Sequence, residues 1–148
     1  ANGQALRFNS SLVKNTGRTA MGVIGIKLAE GDSAVSLVKI TKDCDILSIT
    51  ELGLAKRTQE SKYPVKGRAT RGVQSHKISD KTGKVVAYIP VVNENILIGT
   101  NNGKIIRLYA DTLPQSNRNT TGNKAIKLDK DDTVATATLA PNTDLEDN

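Results

Sequence analysis

Short apolar, β-branched runs alternate with glycine-containing turns along this chain, and no segment keeps a helical period with caps. Asp45–Thr50 and Asn95–Thr100 are two such runs. Each stops at a turn, Glu51-Leu52-Gly53 or Asn101-Asn102-Gly103, and a second run follows, as at residues 104–108. Asn-Gly between two such runs signals a tight hairpin, because the turn needs a residue that accepts a positive φ. Further strands are expected at residues 33–40, 85–92 and 133–139, with a loop containing Gly and Arg between hairpin and strand. The pattern predicts an all-β protein.

The pattern repeats with a period of fifty residues. Asn2-Gly3-Gln4-Ala5-Leu6-Arg7-Phe8 aligns with Leu52-Gly53-Leu54-Ala55-Lys56-Arg57-Thr58 and with Asn102-Gly103-Lys104-Ile105-Ile106-Arg107-Leu108. Gly17-Arg18-Thr19-Ala20-Met21-Gly22 aligns in the same way with Gly67-Arg68-Ala69-Thr70-Arg71-Gly72 and Asn117-Arg118-Asn119-Thr120-Thr121-Gly122. Five columns are identical in all three copies. Two are glycine, at Gly3, Gly53, Gly103 and at Gly22, Gly72, Gly122. Three are basic, at Arg7, Arg57, Arg107, at Arg18, Arg68, Arg118 and at Lys27, Lys77, Lys127. A unit of this length with four strands is the size of a propeller blade, which buries its faces only against its neighbours. Three blades do not close a ring, since propellers have four or more. The expected architecture is therefore a partial ring at 1–140, with blades at 1–44, 45–94 and 95–140 and an acidic tail at 141–148. The first blade lacks its opening strand, which would lie before Ala1, so the chain reads as cut just inside a blade.

Charge adds a direction to this picture. The chain carries 21 Lys+Arg against 15 Asp+Glu. The excess is concentrated in residues 1–127, while residues 128–148 hold one Lys and six acids. A basic body favours polyanions, either nucleic acid or an anionic membrane surface. Aromatics are 3% of the residues, which disfavours base stacking and leaves phosphate contact open. No apolar run approaches the length needed to span a bilayer, and the N-terminus has no signal-peptide pattern. A lone cysteine, Cys44, allows no internal disulfide.

Laid out as repeats, the residues resemble the C-terminal domain of the bacterial gyrase and topoisomerase IV family. Gly3–Phe8 followed by Gly17-Arg18-Thr19-Ala20-Met21-Gly22-Val23-Ile24-Gly25-Ile26 is similar to that family's G-x-x-x-R-F … G-R-T-A-x-G-V-x-G-I blade. Residues 49–58 are similar to its T-E-x-G-x-x-K-R-T blade, and the resemblance covers about residues 2–140. It implies the last three repeats of a six-bladed β-pinwheel, a disc whose neighbouring blades exchange strands and whose basic rim bends and wraps duplex DNA. The gyrase box Q-R-R-G-G-(K/R)-G is not present, and residues 66–72 hold a degenerate version of it. Gly17–Leu28 is closer to the gyrase pattern, with topoisomerase IV as the second choice. The resemblance further implies a bacterial, cytoplasmic, chromosome-associated protein. Its partners would be duplex DNA, the other domains of the gyrase A protein and the gyrase B protein. ATP and Mg would be used by other parts of the holoenzyme, so no cofactor is expected here.

A protein that wraps DNA without reading sequence needs cations repeated along a curved surface, because each neutralised phosphate releases counterions. The candidate DNA contacts are the three basic columns: Arg18, Arg68 and Arg118; Lys27, Lys77 and Lys127; and Arg7, Arg57 and Arg107. Lys14, Lys56, Lys62, Lys66, Arg71 and Lys124 supplement them. Each column has a structural alternative, since a repeated Arg also serves to tie neighbouring blades together. Gly17, Gly22, Gly67, Gly72 and Gly122 allow close phosphate approach or simply form turns. His76 has no ligand partners at metal spacing and reads as a solvent or core histidine. Cys44 reads as inert, and Tyr63, Tyr88 and Tyr109 sit in no DNA-cleaving motif. No acid–base pair, nucleophile set or P-loop is visible, so no catalysis is expected of this chain. A propeller-like protein-interaction module is the remaining alternative. The acidic tail, with Asp144, Glu146 and Asp147, either competes with DNA for the rim or simply solubilises.

Overall fold

The computed structural model describes residues 1–140; the expected acidic tail lies outside the described residues. Eleven strands follow one another: β1 (Gln4–Ala5), β2 (Arg7–Phe8), β3 (Asp45–Thr50), β4 (Leu54–Gln59), β5 (Val65–Lys66), β6 (Val73–Gln74), β7 (Val85–Val91), β8 (Asn95–Thr100), β9 (Ile105–Tyr109), β10 (Asn123–Lys124) and β11 (Val134–Ala140). Among the described residues the helical pieces are three single 3-10 turns, each directly after a hairpin's second strand. The protein is all-β.

The middle sheet has the order β10-β4-β3-β7 and the next has β11-β8-β9. Both hairpins turn at glycine with φ near +85°, Gly53 and Gly103, as the Leu-Gly and Asn-Gly turns require. β7 and β11 return antiparallel beside the first strand of their hairpins. The middle sheet is completed by β10, which comes from the following repeat and pairs Asn123 with Ala55 and Lys124 with Leu54. The same exchange occurs one repeat earlier, where β6 pairs Gln74 with Gln4 and Val73 with Ala5. Each repeat therefore hands its crossing strand to the repeat before it.

Burial follows from this stacking. All six residues of β3 are buried, because the middle blade has neighbours on both faces. Leu47 and Ile49 point into a core shared with Ile96, Ile98, Leu113 and Ile126 of the third repeat. Ile46 points the other way and joins Cys44 and Tyr63, against Ala5 of the first repeat and Val73. In β9 burial alternates: Ile106 and Leu108 pack on the shared core, while Ile105, Arg107 and Tyr109 are exposed. The period-2 pattern of a strand covered on one face only is visible there.

One expected strand does not form. Residues 33–40 adopt no strand structure, and Leu37 is almost fully exposed. The corresponding segments β7 and β11 form because β3 and β8 offer ladders. The equivalent ladder for residues 33–40 would come fifty residues before β3, outside the 148-residue sequence. β-propensity without a partner strand leaves a ladder unformed.

Candidate nucleic-acid interface

Three stretches carry the chain from one 3-10 turn across to the preceding blade: residues 12–28, 62–78 and 112–128. They hold three, five and three Lys+Arg respectively, and not one Asp or Glu. Lys14, Arg18, Lys27, Lys62, Lys66, Arg71, Lys77, Lys124 and Lys127 are all exposed. The acids lie elsewhere, in the turns and strand starts. There Asp32 and Asp132 accept backbone N–H bonds from Asn2 and Asn102, which hold their carboxyls below the usual range against the opposing effect of burial. Sequence reading singled out the cations column by column and missed the acid-free crossing stretches, although a count of acids per segment would have found them.

The structure divides the three basic columns. Arg7 donates to the Glu60 carboxylate at 2.5 Å and to the Glu60 and Tyr63 carbonyls. Arg57 does the same one repeat on, reaching the Leu113 carbonyl at 2.7 Å and Asp45 at 2.8 Å, with Gln115 also on Asp45. Both arginines are half-buried and tie a hairpin to the next repeat's crossing stretch. They are structural ties rather than a displayed arc of charge. Arg107 is exposed.

The loop arginines tie backward. Arg68 donates to the Ile24 carbonyl at 2.5 Å and to the Leu12 carbonyl at 3.0 Å. Arg118 donates to the Gln74 carbonyl at 2.7 Å, the equivalent atom one repeat on. Both are half-buried, so each keeps part of its guanidinium at the surface. Arg18 is exposed and has no such tie among the described residues. The Lys27, Lys77 and Lys127 side chains are exposed, while the backbone N–H groups of Lys27 and Lys77 bond to Thr70 and Thr120 of the next repeat. That bond brings Lys27 beside Arg71 in one groove with Gln4 and Gly72.

Lys56 corrects the sequence expectation most plainly. It is 1% exposed and lies beneath the third crossing stretch, not on a rim. Its Nζ donates to the carbonyls of Asn117 at 2.8 Å and Arg118 at 2.5 Å, and to Thr120 Oγ1 at 3.2 Å. Burial, and then the Arg118 guanidinium, lower its pKa to about 8. An ammonium surrounded by carbonyl oxygens is satisfied by hydrogen bonds without an acid partner. His76 is a core histidine. Nε2 lies 2.8 Å from the Thr121 carbonyl, so Nε2 carries the proton and Nδ1 accepts from Ser48 Oγ at 2.8 Å. Burial, with the nearby Lys56 charge, holds its pKa down to about 4 although the Thr121 bond favours the protonated form. Together Lys56 and His76 pin the third crossing stretch against the middle blade. Cys44 is buried, and no cluster of metal-ligating side chains occurs among the described residues.

A sequence model described as "DNA gyrase C-terminal domain, beta-propeller" matches residues 1–41, 45–91 and 94–141. The chain belongs to this gyrase C-terminal domain family. Among curated relatives, the DNA gyrase A subunit of Buchnera aphidicola subsp. Baizongia pistaciae is 43% identical over 135 residues, covering 90% of this chain and 16% of that protein. The DNA gyrase A subunit of Deinococcus deserti is 39% identical over 142 residues, covering 92% and 18%. This member of the family thus spans less than a fifth of the relatives it matches. A solved gyrase A C-terminal domain superposes with a TM-score of 0.88 at 32% identity, over 93% of this chain and 47% of that one. A C-terminal domain of DNA topoisomerase IV superposes with a TM-score of 0.87 at 25% identity, over 95% and 44%. The family's pinwheel fold agrees with the exchanged strands described above. No helix among the described residues is long and apolar enough to cross a membrane.

Proposed function

We propose that this chain binds duplex DNA without reading its sequence and bends it along the crossing stretches, as the accessory domain of a gyrase-type topoisomerase. The observation that carries this reading is the repeated, exposed and acid-free run of cations at residues 12–28, 62–78 and 112–128. The contacts would come from Lys27, Lys77 and Lys127 with Lys14, Lys62, Lys66, Arg71 and Lys124. The outward parts of Arg18, Arg68 and Arg118 would add to them. Arg can fork onto two phosphate oxygens, while Lys acts as a point charge. Phosphate contact alone carries no sequence information, so affinity would be nearly uniform across duplexes. DNA cleavage, ATP and Mg would belong to other parts of a longer protein and to the gyrase B protein, in the bacterial cytoplasm.

Fluorescence anisotropy with a duplex of about 40 base pairs, titrated between 50 and 200 mM salt, tests this reading. Affinity should fall steeply and linearly on a log–log plot. Replacing Lys66, Arg71, Lys77 and Lys127 together by Ala should lower the slope by about 3 to 4, near 0.9 for each phosphate no longer neutralised. Binding that ignores salt, or an unchanged slope in the variant, would refute the assignment.

A further inference from the structure

The third crossing stretch is anchored differently from the second. In the second, Ala69 takes a left-handed φ of +59° and its N–H donates to the Gly25 carbonyl at 2.7 Å, which ties loop 67–70 to the preceding repeat. Asn119 is the equivalent of Ala69. It is not left-handed, and its N–H reaches no carbonyl of the preceding repeat among the described residues. Loop 117–120 closes on itself instead: Thr120 Oγ1 donates to the Asn117 carbonyl at 3.0 Å and lies 3.0 Å from Ser116 Oγ. The hold comes from beneath, where Lys56 Nζ bonds the Asn117 and Arg118 carbonyls and Thr120 Oγ1. An ammonium has three N–H donors, and all three are used on this one loop.

This anchor belongs to the middle repeat alone. Its column reads Leu6, Lys56 and Ile106, so a hydrocarbon in both flanking repeats is an ammonium here. The surroundings change with it: Ser48, Thr58 and His76 stand where the third repeat has Ile98, Leu108 and Ile126. Ser48 faces Lys56 across the ladder, and His76 bonds both Ser48 and the Thr121 carbonyl just beyond the loop. A buried cation is costly unless its donors are matched, and no carboxylate lies among the partners of Lys56. The charged or titratable groups facing it are Arg118 on the third crossing stretch, His76 on the second, and Tyr88 across Ser48 on β7. Burial keeps His76 neutral above about pH 4 and pushes the Tyr63 and Tyr88 hydroxyls up. With burial, and then the Arg118 guanidinium, lowering its pKa to about 8, Lys56 is the member of this group that changes charge just above neutrality.

We propose that Lys56 is a positioning residue for DNA contact: its ammonium holds loop 117–120 ready to present Arg118 to a phosphate, and loss of its proton loosens that loop. The proposal rests on the DNA-binding reading above and adds the means by which one contact is set. Arg118 is half-buried, bonded to the Gln74 carbonyl with part of its guanidinium left at the surface. A neutral amine keeps two donors for three oxygens, so one bond is lost, and with it the charge that strengthens the others. The DNA must then order the loop itself, which lowers affinity. The number of phosphates neutralised stays the same, because Arg118 still reaches its phosphate once the loop is ordered. A positioning role therefore lowers affinity without lowering the salt slope. The linkage is reciprocal: a phosphate on Arg118 favours the charged form of Lys56 beneath it, so binding takes up a proton.

Anisotropy titrations with the duplex used for the salt series, at fixed salt and from about pH 7 to pH 9.5, where ordinary lysines stay charged, test it. Parent affinity should fall about fivefold as pH rises through about 8. Calorimetry near pH 8 in buffers of different ionisation enthalpy should show proton uptake on binding. Lys56→Met should bind about fivefold more weakly than the parent at neutral pH, with no pH dependence and the parent's salt slope. Arg118→Ala should lose about 0.9 of the slope and the pH dependence together. A purely structural Lys56 would leave affinity and pH profile of the folded variant at parent values. Should Lys56→Met fail to fold, Arg118→Ala reads the same linkage with the ammonium in place. A parent that does not bind duplex overturns the DNA reading and this one with it. A parent that binds with a steep salt slope but a flat pH profile overturns the positioning role alone. So does an Arg118→Ala variant that keeps the pH dependence, or a folded Lys56→Met variant with parent affinity.

Discussion

His76 offers a direct measurement of how tightly the third crossing stretch is held. It is the sole histidine in the sequence and is fully buried, with Nε2 on the Thr121 carbonyl and Nδ1 on Ser48 Oγ. Its pKa falls from 6.5 to about 4, chiefly through burial. The folded state therefore prefers the neutral ring, while the unfolded chain takes up the proton below 6.5. The stabilisation is complete above that value and is lost as pH falls from 6.5 towards 4. At 1.36 kcal/mol per pKa unit the loss is about 2 kcal/mol at pH 5, approaching about 3 kcal/mol at lower pH. Two assays check it. NMR titration of the single imidazole should show no protonation until near pH 4. Urea unfolding at pH 8 and pH 5 should show a stability difference about 2 kcal/mol larger in the parent than in His76→Gln, whose other titrating groups are the same. An imidazole that titrates near 6.5 would refute the reasoning, as would equal pH dependence in parent and variant.

Two further outcomes separate interior from surface roles. Lys56→Met strips the Asn117 and Arg118 carbonyls of their buried donor and should lower stability by about 1–3 kcal/mol in urea unfolding. The salt slope of DNA binding should stay unchanged, because Lys56 is not displayed. Gly122→Ala and Gly22→Ala both place a side chain at positive φ, costing about 1–2 kcal/mol each. Only the Gly122 variant also drives a Cβ to 2.7 Å from Ala55 O, so it should melt clearly lower than the Gly22 variant in dilute solution.

Much of the fold was legible in the residues. The hairpin turns at Gly53 and Gly103, the strands at Asp45–Thr50 and Asn95–Thr100, and those near 85–92 and 133–139 came from alternation and turn chemistry. These are interactions between residues close in the chain. The failure at residues 33–40 has a simple cause: a strand needs a ladder, and propensity does not reveal whether one is present.

The basic columns were legible as columns but not as roles. A side chain repeated because every joint needs the same tie is indistinguishable in sequence from one repeated because every blade meets the same ligand. Arg7, Arg57, Arg68 and Arg118 find backbone carbonyls 44 to 56 residues away. Lys56 reads as one more surface cation until the third crossing stretch closes over it.

By itself the sequence determined the fifty-residue period, the β-character of each unit, the family and the excess of cations over acids. These rest on local propensity, spacing and composition, which need no knowledge of neighbours. Only the tertiary structure decided that each repeat gives its crossing strand to the one before. That crossing sorts the cations into inter-blade ties and exposed charges. It also leaves Gly22 and Gly103 as glycines without the close approach that their equivalents make. The reason is physical: burial and hydrogen-bond partnership are properties of pairs of surfaces, and those pairs exist only once the chain has crossed.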